Sequence, residues 1–389
     1  MKLLPDVWVL PAVTISGAGT AARLLPECAA FGQRGFWVHG RSLKATGMLD
    51  TLLRQAPPGL SVKTWEHPGG EPTLAQLDAL LAAAREHRPD WMAGVGGGSV
   101  LDVAKACAGL YHGRQATVDY HNGTPVEVPG LPFTAVPTTA GTGSEATVNA
   151  VLTNTQTGEK KSIRHPFLMP QRVILDPLLL APCPRPTIAC SGLDALTQAI
   201  EAYVSRFAVE LSDGIALKAV ELIAAHVESV YRGADVEACG RLLEGSYLAG
   251  MALNMARLGI VHGLAHPLGA RYHVPHGQVC GLLLPYAIEF NRPVMGDKYQ
   301  RLSQAVQGDL LAVVQGLLER MHVDNPFKGQ SLPDWTAIIK ETLGAGSTAA
   351  NPRDVTAGDV HRFLDQLFGG RWRGRRLGSR RTSGGRNPT

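Results

Sequence analysis

The chain has 389 residues, 45% of them apolar and 18% charged, with a formal net charge of +4. Single cores seldom grow that large, so two domains sharing a cleft are expected, and the composition is that of a packed globular protein rather than a disordered or fibrous one. Seven arginines and no acids lie from Gly370 onward, leaving a slightly acidic body that argues against a nucleic-acid binder.

No apolar run approaches the ~20 residues needed to span a bilayer, which argues against a membrane protein. The N-terminal MKLLPDVWVLPAV has one lysine, an early proline and no clear small-residue cleavage site, so it reads as mature protein. Cys28, Cys107, Cys183, Cys190, Cys239 and Cys280 are scattered without a CxxC pair. Buried free thiols in a reducing cytoplasm are the expectation.

In chain order, Phe36–Val38, Val62–Trp65, Trp91–Val95 and Phe133–Val136 read as strands, each bounded by glycine, proline or polar residues. Between them, Thr73–His87 and Val100–Leu110 have helical spacing of Leu, Ala and Val. Strands alternating with helices predict a mostly parallel, Rossmann-like sheet covered on both faces. Asp176-Pro177, followed by Pro182, Pro184 and Pro186, marks a boundary. Beyond Thr187, Ile188–Ser205, Glu210–Val230, Val236–Arg257, Val279–Phe290, Leu310–Met321 and Val360–Phe368 read as helices. The prediction is therefore an α/β domain over 1–180 and an all-α domain over 181–369, with the active site between them. An Arg-rich tail at 370–389, without apolar periodicity, should be disordered.

One loop has the makings of a phosphate cradle, and a second is rich in hydroxyls. The Trp91–Val95 strand runs into Gly96, Gly97, Gly98 and Ser99 and then a helix. Glycines let backbone approach an anion, and the helix N-terminus supplies free N–H groups. The Phe133–Val136 strand runs into PTTAGTGSEAT, in which Thr138, Thr139, Thr142 and Ser144 offer hydroxyls.

GLDALTQAIEAY sets Asp194 and Gln198 one helical turn apart, on one helix face. GIVHGLAHPLGARYHVPHG concentrates His262, His266, His273 and His276 in a chain of thirteen histidines. Two oxygen donors from one helix and two imidazoles from another could enclose a divalent cation, with a donor mix suited to zinc or ferrous iron.

GGGSVLDVAKA, PTTAGTGSEAT, ILDP, GLDALTQAIEAY and HGLAHPLGARYHVPHG, in this order, resemble the iron-containing, or group III, alcohol dehydrogenases, related in fold to glycerol dehydrogenase and dehydroquinate synthase. The resemblance runs from about Pro11 to Phe368. It implies an N-terminal dinucleotide-binding domain, a C-terminal helical domain and a metal beside the nicotinamide. It also implies interconversion of alcohols with aldehydes or ketones using NAD(P). By position, the metal ligands would be Asp194, Gln198, His262 and His276, and His266 would lie near nicotinamide and substrate as the proton relay. Gly96, Gly97, Gly98 and Ser99 would hold the pyrophosphate, with Thr138, Thr139, Thr142, Asn149 and Lys160 lining the rest of the cofactor channel. His273 receives no role.

The chain departs from the family pattern at two points. Gln198 stands where histidine is usual; its amide is neutral and a weaker donor, so Fe2+ is the first expectation, with Zn2+ or Mn2+ as alternatives. After the Phe36–Val38 strand, Gly40 falls where NAD-preferring relatives carry an acid. Arg41 and Ser42 follow it, which favours NADP, with NAD second. The expected function is a cytoplasmic oxidoreductase acting on a small alcohol or aldehyde. The residues leave open a metal-free or non-catalytic descendant, a lyase or cyclase on the same scaffold, and a homo-oligomeric state.

Overall fold

The computed structural model describes residues 1–233, 235–331 and 335–369. The tail at 370–389, expected to be disordered, lies outside them.

Six strands form one parallel sheet: β1 Val13–Ser16, β2 Arg34–His39, β3 Ser61–Glu66, β4 Trp91–Gly96, β5 Phe133–Pro137 and β8 Arg172–Leu175, in the order β1-β8-β5-β4-β2-β3. The central strands β4 and β5 are buried at every residue, as an apolar run covered on both faces requires. Phe36, Val38, Leu77, Leu80, Leu101 and Phe133 pack one face, and Leu25, Trp37, Trp91, Val95 and Ile174 the other. The Leu74–His87 helix opens on a capping box: Gln76 N–H donates to Thr73 Oγ1 at 3.2 Å, and Thr73 N–H to Gln76 Oε1 at 3.0 Å.

The sequence missed β1, β8 and a two-stranded antiparallel hairpin, β6 Asn149–Thr153 and β7 Lys160–Arg164. β1 and β8 have four residues each, too few for periodicity to separate strand from turn. The hairpin alternates polar and apolar residues only weakly and lies off the main sheet.

Chain order reverses direction in the sheet between β2 and β4, where His39 pairs with Val95 and Gly40 N–H donates to Val95 O at 3.1 Å. Ligands of open α/β sheets bind outside the carboxyl ends of the strands at such a reversal. Gly40 and Gly97 stand at its two lips.

Beyond β8 the described chain is helical. Arg185–Val204 is buried from Gly192 to Val204. It is wrapped by Glu210–Arg232, Val236–Ala256 and His276–Met295, whose Leu, Ile, Val and Ala side chains form one core. The helices Ile260–Tyr272, Asp297–Ala305 and Trp335–Gly344 were not predicted. Ile260–Tyr272 carries Pro267 in its interior, which obscures helical reading of the histidine-rich stretch. Among the described residues, no single helix is long and apolar enough to cross a membrane.

Candidate metal and cofactor site

Asp194 and Gln198 project from the middle of Arg185–Val204, both buried. The imidazoles reach them from two helices, not from the single helix that the sequence predicts. His262 lies in the first turn of Ile260–Tyr272, and His276 is the first residue of His276–Met295. Pro267 and the turn at His273 (φ 54°) break the chain between them. The second imidazole comes close because His276–Met295 packs backbone-to-backbone on Arg185–Val204. A Cβ on Gly277 would lie 2.1 Å from Cys190 O, and one on Gly281 would lie 2.8 Å from Leu193 Cδ1.

His262 Nε2 stands 3.2 Å from Asp194 Oδ1, and His276 Nε2 3.8 Å from the same oxygen. Cys280 Sγ, one turn beyond His276, is 3.5 Å from His276 Nε2. Donor atoms of Asp194, His262, His276 and Cys280 all lie within 4.8 Å of one another. Glu201 orients His262 from behind, its Oε2 2.6 Å from Nδ1 while Oε1 accepts from Val261 N–H at 2.7 Å. With the Nδ1 proton given to Glu201, His262 Nε2 turns a lone pair toward a carboxylate oxygen, and only a proton or a cation between them makes that pairing favourable. Gln198 Oε1 and His276 Nδ1 are buried without a hydrogen-bond partner. A divalent cation fits this donor set.

His266 stacks on His276 with ring centroids 4.9 Å apart, and its Nδ1 is unpartnered. Burial, then the positive charge of Lys160 and the neighbouring imidazoles, pull His266 and His276 well below the ordinary histidine range. Both are neutral near pH 7. His262 goes the other way: burial opposes its charge, but the facing Cys280, Glu201 and Asp194 outweigh it and raise its pKa.

A cavity of 580 Å³ opens over the cluster, lined by Asp194, Gln198, His262, His266 and His276 on one side. Ser99, Thr142, Asn149 and Lys160 line the other, with Lys160 Nζ 2.7 Å from Glu71 Oε1 and Asn149 Oδ1 buried without a partner. A second cavity, of 380 Å³, runs along the sheet reversal past Gly40, Arg41, Gly97, Gly98 and Thr139, and also reaches Asp194 and His276. Gly98 starts the Gly98–Leu110 helix, whose N-terminus has no side-chain cap, and a Cβ there would lie 2.5 Å from Thr142. A backbone cradle beside an uncapped helix N-terminus fits a phosphate.

Three expected cofactor residues line neither cavity. Gly96 ends β4 against Val100, Thr138 N–H donates to Gly96 O at 3.0 Å, and Ser42 is exposed on the short Arg41–Ala45 helix. The sequence reading also missed contributors. Glu201 lies one turn past Gln198 in helical phase, and His276-x-x-x-Cys280 has the same spacing as Asp194-x-x-x-Gln198. Gly69 and Gly70, in the turn after β3, line the cofactor groove. Arg164 and Arg257 line the larger cavity; burial, then the nearby charge of Arg257, lowers the Arg164 pKa.

A doubly wound sheet with a phosphate cradle at its reversal, facing a carboxylate–imidazole cluster on helices, defines a nucleotide-binding enzyme class with a site that fits a metal. Comparison with known proteins narrows the class. The family model described as iron-containing alcohol dehydrogenase matches residues 11–177, and that of the C-terminal part of the same family matches 188–368. The chain is similar to the probable alcohol dehydrogenase EutG of Salmonella typhimurium, 38% identical over 365 residues, covering 90% of this chain and 92% of that one. It is 31% identical over 352 residues to the NADPH-dependent butanol dehydrogenase of Clostridium saccharobutylicum, covering 85% and 90%. Among solved structures it resembles a 1,3-propanediol oxidoreductase, with TM-score 0.87, 28% identity, and coverage of 93% and 99%.

The chain belongs to the iron-containing alcohol dehydrogenase family. It is an NAD(P)-dependent oxidoreductase that interconverts an alcohol and an aldehyde or ketone, and it takes a divalent metal.

Proposed function

We propose that the chain is an NADP-preferring reductase of a small aldehyde, with the reverse alcohol oxidation in the same site, and that Asp194, His262 and His276 hold ferrous iron while His266 handles the proton. The observation that carries this reading is the 580 Å³ cavity, in which those four residues face Ser99, Asn149 and Lys160 of the sheet half. The division of labour follows the boundary expected near residue 180, with the cofactor held by 1–180 and the metal by 181–369.

When bound, the cation supplies a Lewis acid and the dinucleotide the hydride. The protein's own contribution is position and charge. Gly97, Gly98 and the N-terminus of Gly98–Leu110 bind the pyrophosphate. Lys160 and the unpaired Asn149 Oδ1 orient the nicotinamide end. Neutral His266, which lines the cavity, accepts the hydroxyl proton during oxidation, and in its protonated form returns it to the product oxygen during reduction. Gln198 lines the same cavity and offers its amide to a substrate hydroxyl or water.

The NADP preference rests on the lip at β2. Gly40 has no carboxylate, Arg41 lines the groove, and the nearby Glu66 is shared between Arg41 at 4.0 Å and Lys44 at 3.8 Å, leaving that corner net positive. The test follows absorbance of NADPH and NADH against a panel of small aldehydes, with ferrous, zinc or manganese ions added to metal-stripped protein. Metal-dependent NADPH oxidation is expected; no turnover with any aldehyde would refute the reading. In the same assay Gly40→Asp should shift preference toward NADH by about tenfold or more, as a carboxylate repels a 2′-phosphate. The site is open to the change: a Cβ there meets nothing nearer than Val100 at 3.6 Å. An unchanged ratio would remove this lip from cofactor choice.

A further inference from the structure

The polar cluster contains a sulfur that the proposed mechanism does not use. Cys280 is fully buried one turn into His276–Met295, with Val279, Leu283 and Leu264 in the surrounding core. An ordinary core thiol would face that apolar packing. This one lies 3.5 Å from His276 Nε2 and within 4.8 Å of donor atoms of Asp194 and His262. A tetrahedral site with metal–nitrogen bonds of ~2.1 Å and a metal–sulfur bond of ~2.3 Å sets its donors about 3.3–3.7 Å apart. The observed separations of 3.2, 3.5 and 3.8 Å bracket that range.

We propose that Cys280 is a fourth protein ligand of the metal, making the site Asp-His-His-Cys, with Gln198 left on the open side for substrate or water. One feature besides distance supports this. Cys280 does not line the 580 Å³ cavity, whereas Asp194, Gln198, His262 and His276 do, so the sulfur closes the core side of the cluster and leaves the cavity side free. On ligation the metal–sulfur bond replaces the thiol S–H bond and the proton leaves to solvent. Thiolate is a soft donor, so the site should hold zinc more firmly against exchange than a purely nitrogen and oxygen set would.

The inference rests on the proposed metal site, and cobalt spectroscopy separates the two. Metal-stripped protein titrated anaerobically with Co2+ should develop ligand-field bands of a low-coordinate site together with an intense near-ultraviolet thiolate-to-cobalt charge-transfer band. Cys280→Ser should keep the ligand-field bands, lose the charge-transfer band and bind cobalt at least about tenfold more weakly. The parent spectrum is decisive without the variant: cobalt bound with ligand-field bands alone overturns Cys280 ligation and leaves the metal site standing. Persistence of the charge-transfer band in Cys280→Ser also overturns it, since another thiol would then be responsible. If no cobalt binds the parent at all, both the metal site and the inference fall.

Discussion

Asp194→Asn is expected to empty the cluster of metal and to lower kcat about a thousandfold. Among the described residues, Asp194 is the one carboxylate whose oxygen faces both His262 Nε2, at 3.2 Å, and His276 Nε2, at 3.8 Å. Asparagine has nearly the same shape, so the packing of Leu193, Ala195 and Leu196 against the helical core is kept while the negative charge is lost. A Lewis acid is worth several kcal/mol to developing oxyanion charge, and each 1.36 kcal/mol is a factor of ten in rate. Elemental analysis of the purified variant, beside its turnover with saturating metal in the buffer, checks the claim. Equal metal content in variant and parent would show that Asp194 is not a ligand.

His266→Ala is expected to lower kcat by roughly 10²–10⁴-fold, the usual span for a positioned acid–base group, while leaving dinucleotide affinity within a few fold. His266 stacks on His276 without a hydrogen bond at Nδ1, so the substitution removes a proton carrier and leaves Asp194 and Glu201 to keep His262 and the cluster in place. Burial and Lys160 keep its imidazole neutral, the form that can take a proton from an alcohol. Steady-state turnover, set beside a fluorescence titration of NADPH, makes the split visible. Turnover within a few fold of the parent would assign the proton elsewhere, and a matching loss of NADPH affinity would make His266 a structural neighbour of the nicotinamide.

Local pattern made much of this molecule legible. The runs of β2, β4 and β5 are legible as strands because segments buried on both faces are dominated by Phe, Trp, Val and Ala. The long helices announce themselves by spacing, and Asp194 and Gln198 share a helix face because a turn is 3.6 residues. Gly97-Gly98-Ser99 is readable as a cradle because strand, glycines and helix follow one another without a gap. The hairpin carrying Asn149 and Lys160 is legible as cofactor channel only through resemblance; its weak alternation gives no strand signal of its own.

The sequence by itself determined the periodic elements, the glycine turn and the candidate donors, because each depends on residues within a turn or two of one another. Only the tertiary structure decided which donors meet. His262 and His276 sit on different helices, and Gly277 and Gly281 let the second helix close onto Asp194 with no Cβ between the backbones. The same approach drew Cys280 from an anonymous core position into the cluster, and helix direction put Glu201 behind His262. Such meetings are fixed by packing between segments dozens of residues apart, where spacing along the chain carries no information about distance in space.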